Sequence, residues 1–144
     1  MGGRGAYYSG DAFDFEKREY DSIGVFKSDE YGNIKILKSR KGKATLPMRS
    51  ISSNIYLMHN GDRLSRIGFY KDHNLTRQID IILEKDDDYG IHAHDFYTEE
   101  VKNNYPVTKR VDEGSKKVHK KLTEKEKKLI KEILVSNKEV KFYE

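Results

Sequence analysis

The strongest constraint on the fold is the alternation that begins at Thr76. In Thr76-Arg77-Gln78-Ile79-Asp80-Ile81-Ile82-Leu83, an extended chain carries Ile79, Ile81 and Leu83 on one face and Gln78 and Asp80 on the other, because successive side chains of a strand point to opposite sides. One face belongs to a core and the other is left with polar groups. The acidic run Lys85-Asp86-Asp87-Asp88-Tyr89-Gly90 reads as a turn, and a second short strand opening at Ile91 puts His92 and His94 on a common face. Antiparallel pairing through that turn brings Asp80 and the two histidines together on the side away from the core.

The flanking sequence supplies partners for this pair of strands. Asn54 to His59 and Arg63 to Tyr70 flank Asn60-Gly61, the dipeptide that most favours a two-residue hairpin. Lys71 to Leu75 then turns the chain into the Thr76 strand. Ser22 to Lys27 and Asn33 to Lys38 form a further hairpin around Asp29-Glu30-Tyr31-Gly32. The second of its strands, with Ile34 and Ile36 on one face and Lys35 and Leu37 on the other, is expected at a sheet edge. Arg40 to Ser50, with Gly42 and Pro47, and Asn103 to Gly114, with Pro106, read as irregular segments.

Near the end, Thr123-Glu124-Lys125-Glu126 is a capping box, and Leu129, Ile130, Ile133 and Leu134 follow it as one apolar stripe at helical spacing. The helix is predicted to end near Ser136 and Asn137, leaving Glu139 to Glu144 as an extended tail. These elements make an α+β fold: an antiparallel β-meander of about four to six strands with a C-terminal helix packed on one face. A glycine-rich, flexible N-terminal segment over residues 1–20 precedes a single α+β domain over residues 21–144.

Composition narrows the chemistry. With 35% hydrophobic and 36% charged residues the core is small, and the absence of cysteine excludes disulfides, thiolate metal sites and cysteine nucleophiles. No apolar run is long enough to span a bilayer and no leader pattern opens the chain, so a cytoplasmic protein without a membrane partner is expected. The net charge is +4, with 28 basic residues among 24 acidic ones, so placement matters more than the sum. Arg40, Lys41 and Lys43 form one basic cluster, and Lys109, Arg110, Lys116 and Lys117 open a second that runs through His119 to Lys121. Such clusters beside a polar site are candidates for nucleic-acid binding, and their plain reading is a solvated surface.

Two histidines two apart on a strand project to one side and can act as an acid and base pair or share a metal. A metal needs further ligands, for which Asp80, Asp95 and His73 are available, but neither a thiolate set nor the helical zinc-protease motif is present. Neither a metal nor another cofactor is expected. RNA cleavage by transesterification requires a base for the 2′-OH proton, an acid for the leaving oxygen and a cation for the phosphorane charge. His92 and His94 supply the first two and Arg77 or Arg66 the third, with Asp80 orienting an imidazole and Gln78 beside it. Arg77 alternates onto the Ile79 face and reaches the site only from the strand end or over a bulge. Arg66, with Tyr70 on its side of the preceding strand, is the easier cation. The plain readings are surface imidazoles on a strand and a salt bridge from Asp80 to an arginine.

The opening Met1-Gly2-Gly3-Arg4-Gly5-Ala6 with Ser9-Gly10, then Pro47-Met48, Ile55-Tyr56, Ile67-Gly68-Phe69-Tyr70, Arg77-Gln78-Ile79-Asp80, His92-Ala93-His94 and Leu122 to Lys127, resemble phage-associated domains of the barnase, EndoU, colicin and RelE-type nuclease superfamily. The resemblance spans roughly Pro47 to Ile133 and the first ten residues. It implies an RNase-like fold, an origin in a phage or mobile element of Gram-positive bacteria, and site residues at Arg77, Gln78, Asp80, His92 and His94. In that pattern another histidine and a Gly-Tyr follow the histidine pair, where this chain has Asp95-Phe96-Tyr97. The expectation is a protein of the bacterial host cytoplasm that binds RNA and cleaves it by metal-independent acid-base chemistry. The alternatives are a non-enzymatic inhibitor of a host defence nucleoprotein complex, of the anti-CRISPR kind, and a virion or head accessory protein.

Overall fold

In the computed structural model, residues 20–40, 45–50, 54–83, 89–102, 106–134 and 140–144 are described. The glycine-rich start, Lys41, Lys43, most of the acidic turn and the end expected for the helix lie outside them. The elements are β1 (Tyr20–Ser28), β2 (Gly32–Ser39), β3 (Ile55–Asn60), β4 (Arg63–Lys71), β5 (Asn74–Asp80), β6 (His92–Glu99), β7 (Val107–Arg110), β8 (Asp112–Glu113), β9 (Lys116–Lys117) and α1 (Glu124–Ile133). Seven strands form one sheet in chain order, and β8 and β9 form a separate two-stranded ribbon. Among the described residues the fold is α+β, mostly sheet with one short helix.

The sheet is larger than the expected meander and is mixed. Every neighbouring pair in it is antiparallel except β2 and β3, which run parallel. The parallel pair requires the chain to cross one face of the sheet between Ser39 and Ile55. The crossing segment is held there by backbone bonds from Leu75 N to Met48 O (3.0 Å) and from Ser50 N to His73 O (2.8 Å). This corrects the placement of β2, which lies between β1 and β3 rather than at an edge. It also corrects the irregular reading of Asn103 to Gly114, since β7 and β8 occupy part of it.

Both faces of the sheet are apolar for much of their area. On one face Ile34, Leu57, Ile67, Ile79 and Ala93 pack with Leu129 and Ile130 of α1. On the other, Tyr56, Met58, Tyr70, Leu37 and Leu75 pack under Leu46 of the crossing segment. A one-residue slip in any strand exchanges its two faces, and two bulges use that rule. The β3–β4 pairing steps from Met58↔Arg66 to His59↔Leu64, leaving Ser65 as the extra residue. The β4–β5 pairing steps from Phe69↔Arg77 to Tyr70↔Leu75, leaving Thr76 as the extra residue. The Thr76 hydroxyl donates to Phe69 O at 3.1 Å. As a result Leu75 faces the crossing segment together with Gln78 and Asp80, while Arg77 and Ile79 face the helix.

The helix begins where the capping box placed it. Thr123 Oγ1 accepts from Glu126 N at 3.2 Å, and Glu126 Oε1 accepts from Thr123 N at 2.8 Å. Its stripe is buried through Leu129 and Ile130, with Ile133 and Leu134 against the same cluster.

Candidate functional site

The polar face at the β5–β6 pair carries the one group among the described residues with metal-ligand spacing, the imidazoles of His92, His94 and His119, and Asp80 lies against the first two. Register explains it: Asp80 pairs with His92 and Gln78 with His94, so four polar side chains of adjacent strands project to one side. The same face is apolar toward β3 and polar here.

Each oxygen of Asp80 has its own surroundings. Oδ1 accepts from Gln78 Nε2 at 2.8 Å and lies 3.4 Å from Arg66 Nε. Oδ2 faces two imidazoles, at 3.2 Å from His94 Nε2 and 3.5 Å from His92 Nε2. The far sides of those rings are fixed as well. His92 Nδ1 lies 2.9 Å from Gly90 O and His94 Nδ1 lies 2.9 Å from Val118 O. A carbonyl oxygen only accepts, so each Nδ1 is the protonated, donating nitrogen. In the neutral tautomer both Nε2 atoms therefore turn lone pairs toward a carboxylate oxygen. That meeting of acceptors is stable only with a proton or a cation between them. Burial alone would raise the Asp80 carboxyl, but hydrogen bonds from His92 and His94, the Arg66 charge and the Gln78 amide hold it far below its ordinary 3.8.

A third imidazole arrives from a distant part of the chain. Lys120 pairs antiparallel with Ala93 through bonds of 2.9 and 2.8 Å, which closes the edge that the first half of β6 does not share with β7. His119, one residue back, then falls on the face of His92 and His94. Its ring centroid lies 4.2 Å from that of His92 and 5.2 Å from that of His94. Tyr89 stacks on it at 4.4 Å with an interplanar angle of 12°, and Tyr143 stands 5.9 Å away. Burial, then the neighbouring His92 and His94, lower the pKa of His119 from 6.5. The tail that carries Tyr143 is tied on by bonds of 2.8 Å from Ile91 N to Lys141 O and 2.9 Å from Tyr143 N to Ile91 O.

The expected site residues thus divide. Asp80, Gln78, His92, His94 and Arg66 converge. Arg77 does not: it lies on the helix face, where Nε donates to Glu126 Oε2 at 2.7 Å, Nη1 to Asp95 Oδ1 at 2.9 Å and Nη2 to Lys121 O at 2.8 Å. Tyr70 shares the site's face but is buried in the apolar half. Its hydroxyl donates to Pro47 O at 2.5 Å, and burial pushes its phenol well above the usual value. Of the proposed metal ligands, Asp95 is bound to Arg77, and His73 lies in the β4–β5 turn with Nδ1 2.9 Å from Ser50 O. His119 had only its position in a basic run to recommend it, and no local spacing marks it.

The basic candidates do not form one patch. Arg40, at the end of β2, pairs with Asp21 at 2.8 Å. Across the sheet Lys109 in β7 pairs with Glu99 at 3.3 Å and Arg110 with Asp112 at 2.6 Å. With strands about 4.8 Å apart, these groups stand on the order of 24 Å from Arg40. Lys116 and Lys117 are exposed on the β8–β9 ribbon, and the charge of Lys117 reaches His119. On the other side of Asp80 a cleft of about 330 Å³ is lined by Asn60, Arg63, Ser65 and Arg66. Among the described residues no helix is long and apolar enough to cross a membrane. Comparison with protein-family models, with curated proteins and with solved structures finds no match for the chain.

Proposed function

We propose that this protein binds RNA and cleaves it at the Asp80 centre by proton transfer through His92 and His94. The observation that carries the reading is the shared carboxylate oxygen: two imidazoles, each anchored by Nδ1 on a backbone carbonyl, both direct Nε2 at Asp80 Oδ2. One proton among these three groups makes one imidazole a donor to Asp80 and leaves the Nε2 of the other unprotonated. That is an acid and a base held side by side, with Asp80 stabilising the charged partner.

In the reaction the neutral imidazole takes the 2′-OH proton and the 2′-oxygen attacks phosphorus. The P–O5′ bond breaks, the protonated imidazole gives its proton to the leaving 5′-oxygen, and a 2′,3′-cyclic phosphate remains. Arg66, on the cleft side of Asp80, meets the charge that develops on the phosphorane. The cleft offers Arg63 and Asn60 beside it for the flanking phosphate. A protein from a phage or mobile element would act in this way in the cytoplasm of its bacterial host.

The test is cleavage of labelled single-stranded and structured RNAs by purified protein, with and without EDTA. We expect cleavage that survives EDTA and falls by about 10² to 10⁴ in the His92→Ala, His94→Ala double variant, the usual contribution of acid-base catalysis. Absence of cleavage on every RNA by folded wild-type protein would overturn the reading. It would leave the non-enzymatic inhibitor of a nucleoprotein complex as the next hypothesis.

A further inference from the structure

We infer that His92, His94, His119 and Asp80 form a binding site for a divalent ion of the zinc class. One ring nitrogen from each of the three histidines lies within 4.8 Å of the others, and Asp80 Oδ2 stands 3.2 and 3.5 Å from two of them. Ligand bonds of about 2.0 to 2.1 Å arranged tetrahedrally place neighbouring donor atoms about 3.3 to 3.4 Å apart. The oxygen-to-nitrogen separations bracket that edge.

The surroundings are those of a built site. Metal-bound histidines give their other ring N–H to a carbonyl or carboxylate, which fixes the tautomer. His92 and His94 do so to Gly90 O and Val118 O. Gln78 and Arg66 occupy Oδ1 of Asp80 and leave Oδ2 to the histidines. Three imidazoles with a single carboxylate suit zinc, nickel or copper, whereas calcium and magnesium require mostly oxygen. Tyr89 and Tyr143 wall the His119 side.

An ion at this position occupies the Nε2 lone pairs that proton transfer needs. This consequence rests on the function proposed above: the loaded protein is silent toward RNA and the ion acts as a brake.

The test begins with chelator-treated protein titrated with Co²⁺, whose visible absorption reports tetrahedral nitrogen and oxygen ligation, and with Zn²⁺ competition against it. One equivalent is expected to bind with tetrahedral absorption and to be displaced by zinc. Loss of an outer partner of a metal ligand costs about 10 to 100-fold in affinity. Loss of a ligand itself, in His119→Ala or Asp80→Asn, should weaken binding by about 100-fold or more. Circular dichroism confirms that each variant is folded. Wild-type affinity no greater than that of the His92→Ala, His94→Ala variant, or full affinity in folded His119→Ala, would overturn the site.

RNA cleavage is read separately. Suppression by zinc and recovery in EDTA supports the brake. Cobalt binding with no cleavage under any condition keeps the site and removes the functional reading. Cleavage that requires zinc also keeps the site and replaces free-imidazole catalysis. Cleavage without cobalt binding does the reverse.

Discussion

The β5–β6 pair carries two polar clusters on opposite faces, built from neighbouring residues of the same two strands. Facing the helix, Arg77 meets Asp95, Glu126 and the carbonyl of Lys121. Facing away, Asp80 meets His92, His94 and Arg66. In the first cluster each contact joins a donor to an acceptor. In the second, two imidazole Nε2 atoms converge on one carboxylate oxygen, an arrangement that a proton or an ion completes. A satisfied network holds a fold together, and one that is complete only with a proton or an ion can do chemistry.

The largest effect should come from the helix-side cluster. Arg77→Ala leaves the Glu126 carboxylate, whose side chain is 7% exposed, without its guanidinium. Breaking a buried pair from one side costs about 3 to 5 kcal/mol. Arg77 is itself 22% exposed, so we expect about 3 kcal/mol, read as a lower urea midpoint at unchanged slope. Arg77→Lys should recover little of it, because one ammonium does not reproduce the fork that serves three acceptors. Folded Arg77→Ala that has lost cobalt binding or RNA cleavage would break the division between the two faces.

The opposite signature is expected from Asp80→Asn. RNA cleavage should fall by about 100-fold or more, while stability falls by less than in Arg77→Ala, about 1 to 2 kcal/mol, since the amide keeps an oxygen for Gln78 and Arg66 and loses only the charge that its neighbours stabilise. A stability loss as large as that of Arg77→Ala would show that this cluster is structural too.

Acid separates the faces next. The folded state holds the Asp80 carboxyl far below its ordinary 3.8. Its contribution is therefore present above that value and is lost as the pH falls below it. His119, lowered from 6.5, acts in the same direction at higher pH: its neutral form belongs to the folded state, and protonation below 6.5 works against folding. The part of wild-type stability set by these two groups should decline as pH falls below 6.5, through His119, and again below 3.8, through Asp80. Asp80→Asn should flatten the lower decline and His119→Ala the upper one. Profiles unchanged by either substitution would refute the linkage.

The sequence made one face of this comparison legible and hid part of the other. Alternation alone placed Gln78 and Asp80 opposite Ile79, put His92 with His94, and assigned Arg77 to the Ile79 face. It also favoured Arg66 as the nearby cation, where the structure has it 3.4 Å from Asp80. These are local properties of strands, and Asn60-Gly61 and the capping box are local as well. The parallel contact of β2 with β3 is not, because it depends on what the crossing segment covers. His119 was hidden for the same reason: its place follows from Lys120 pairing with Ala93, far back in the chain. Both the residue-level chemistry and the resemblance to RNase-like domains offered Arg77 a catalytic part, whereas the parity argument gave it the other face, and the structure places it on that face.

The smallest expected effect sharpens the helix-side cluster itself. Glu126 Oε2 serves Arg77 Nε, while Oε1 accepts both Thr123 N at 2.8 Å and Arg77 Nη2 at 3.0 Å. One carboxylate therefore completes the capping box and anchors β5 to the helix. Thr123→Ala removes the hydroxyl that receives Glu126 N but leaves all the acceptor bonds of Glu126. The loss should be about 1 kcal/mol, the usual value of an N-cap side chain. Combined with Arg77→Ala, the cap substitution should cost less than the sum of the two, because Glu126 released from Arg77 no longer ties the helix start to the sheet and the cap has less tertiary structure to hold. Strict additivity in a double-mutant cycle would mean that the cap and the ion pair share a residue without sharing energy. The satisfied face would then be two independent contacts rather than one network.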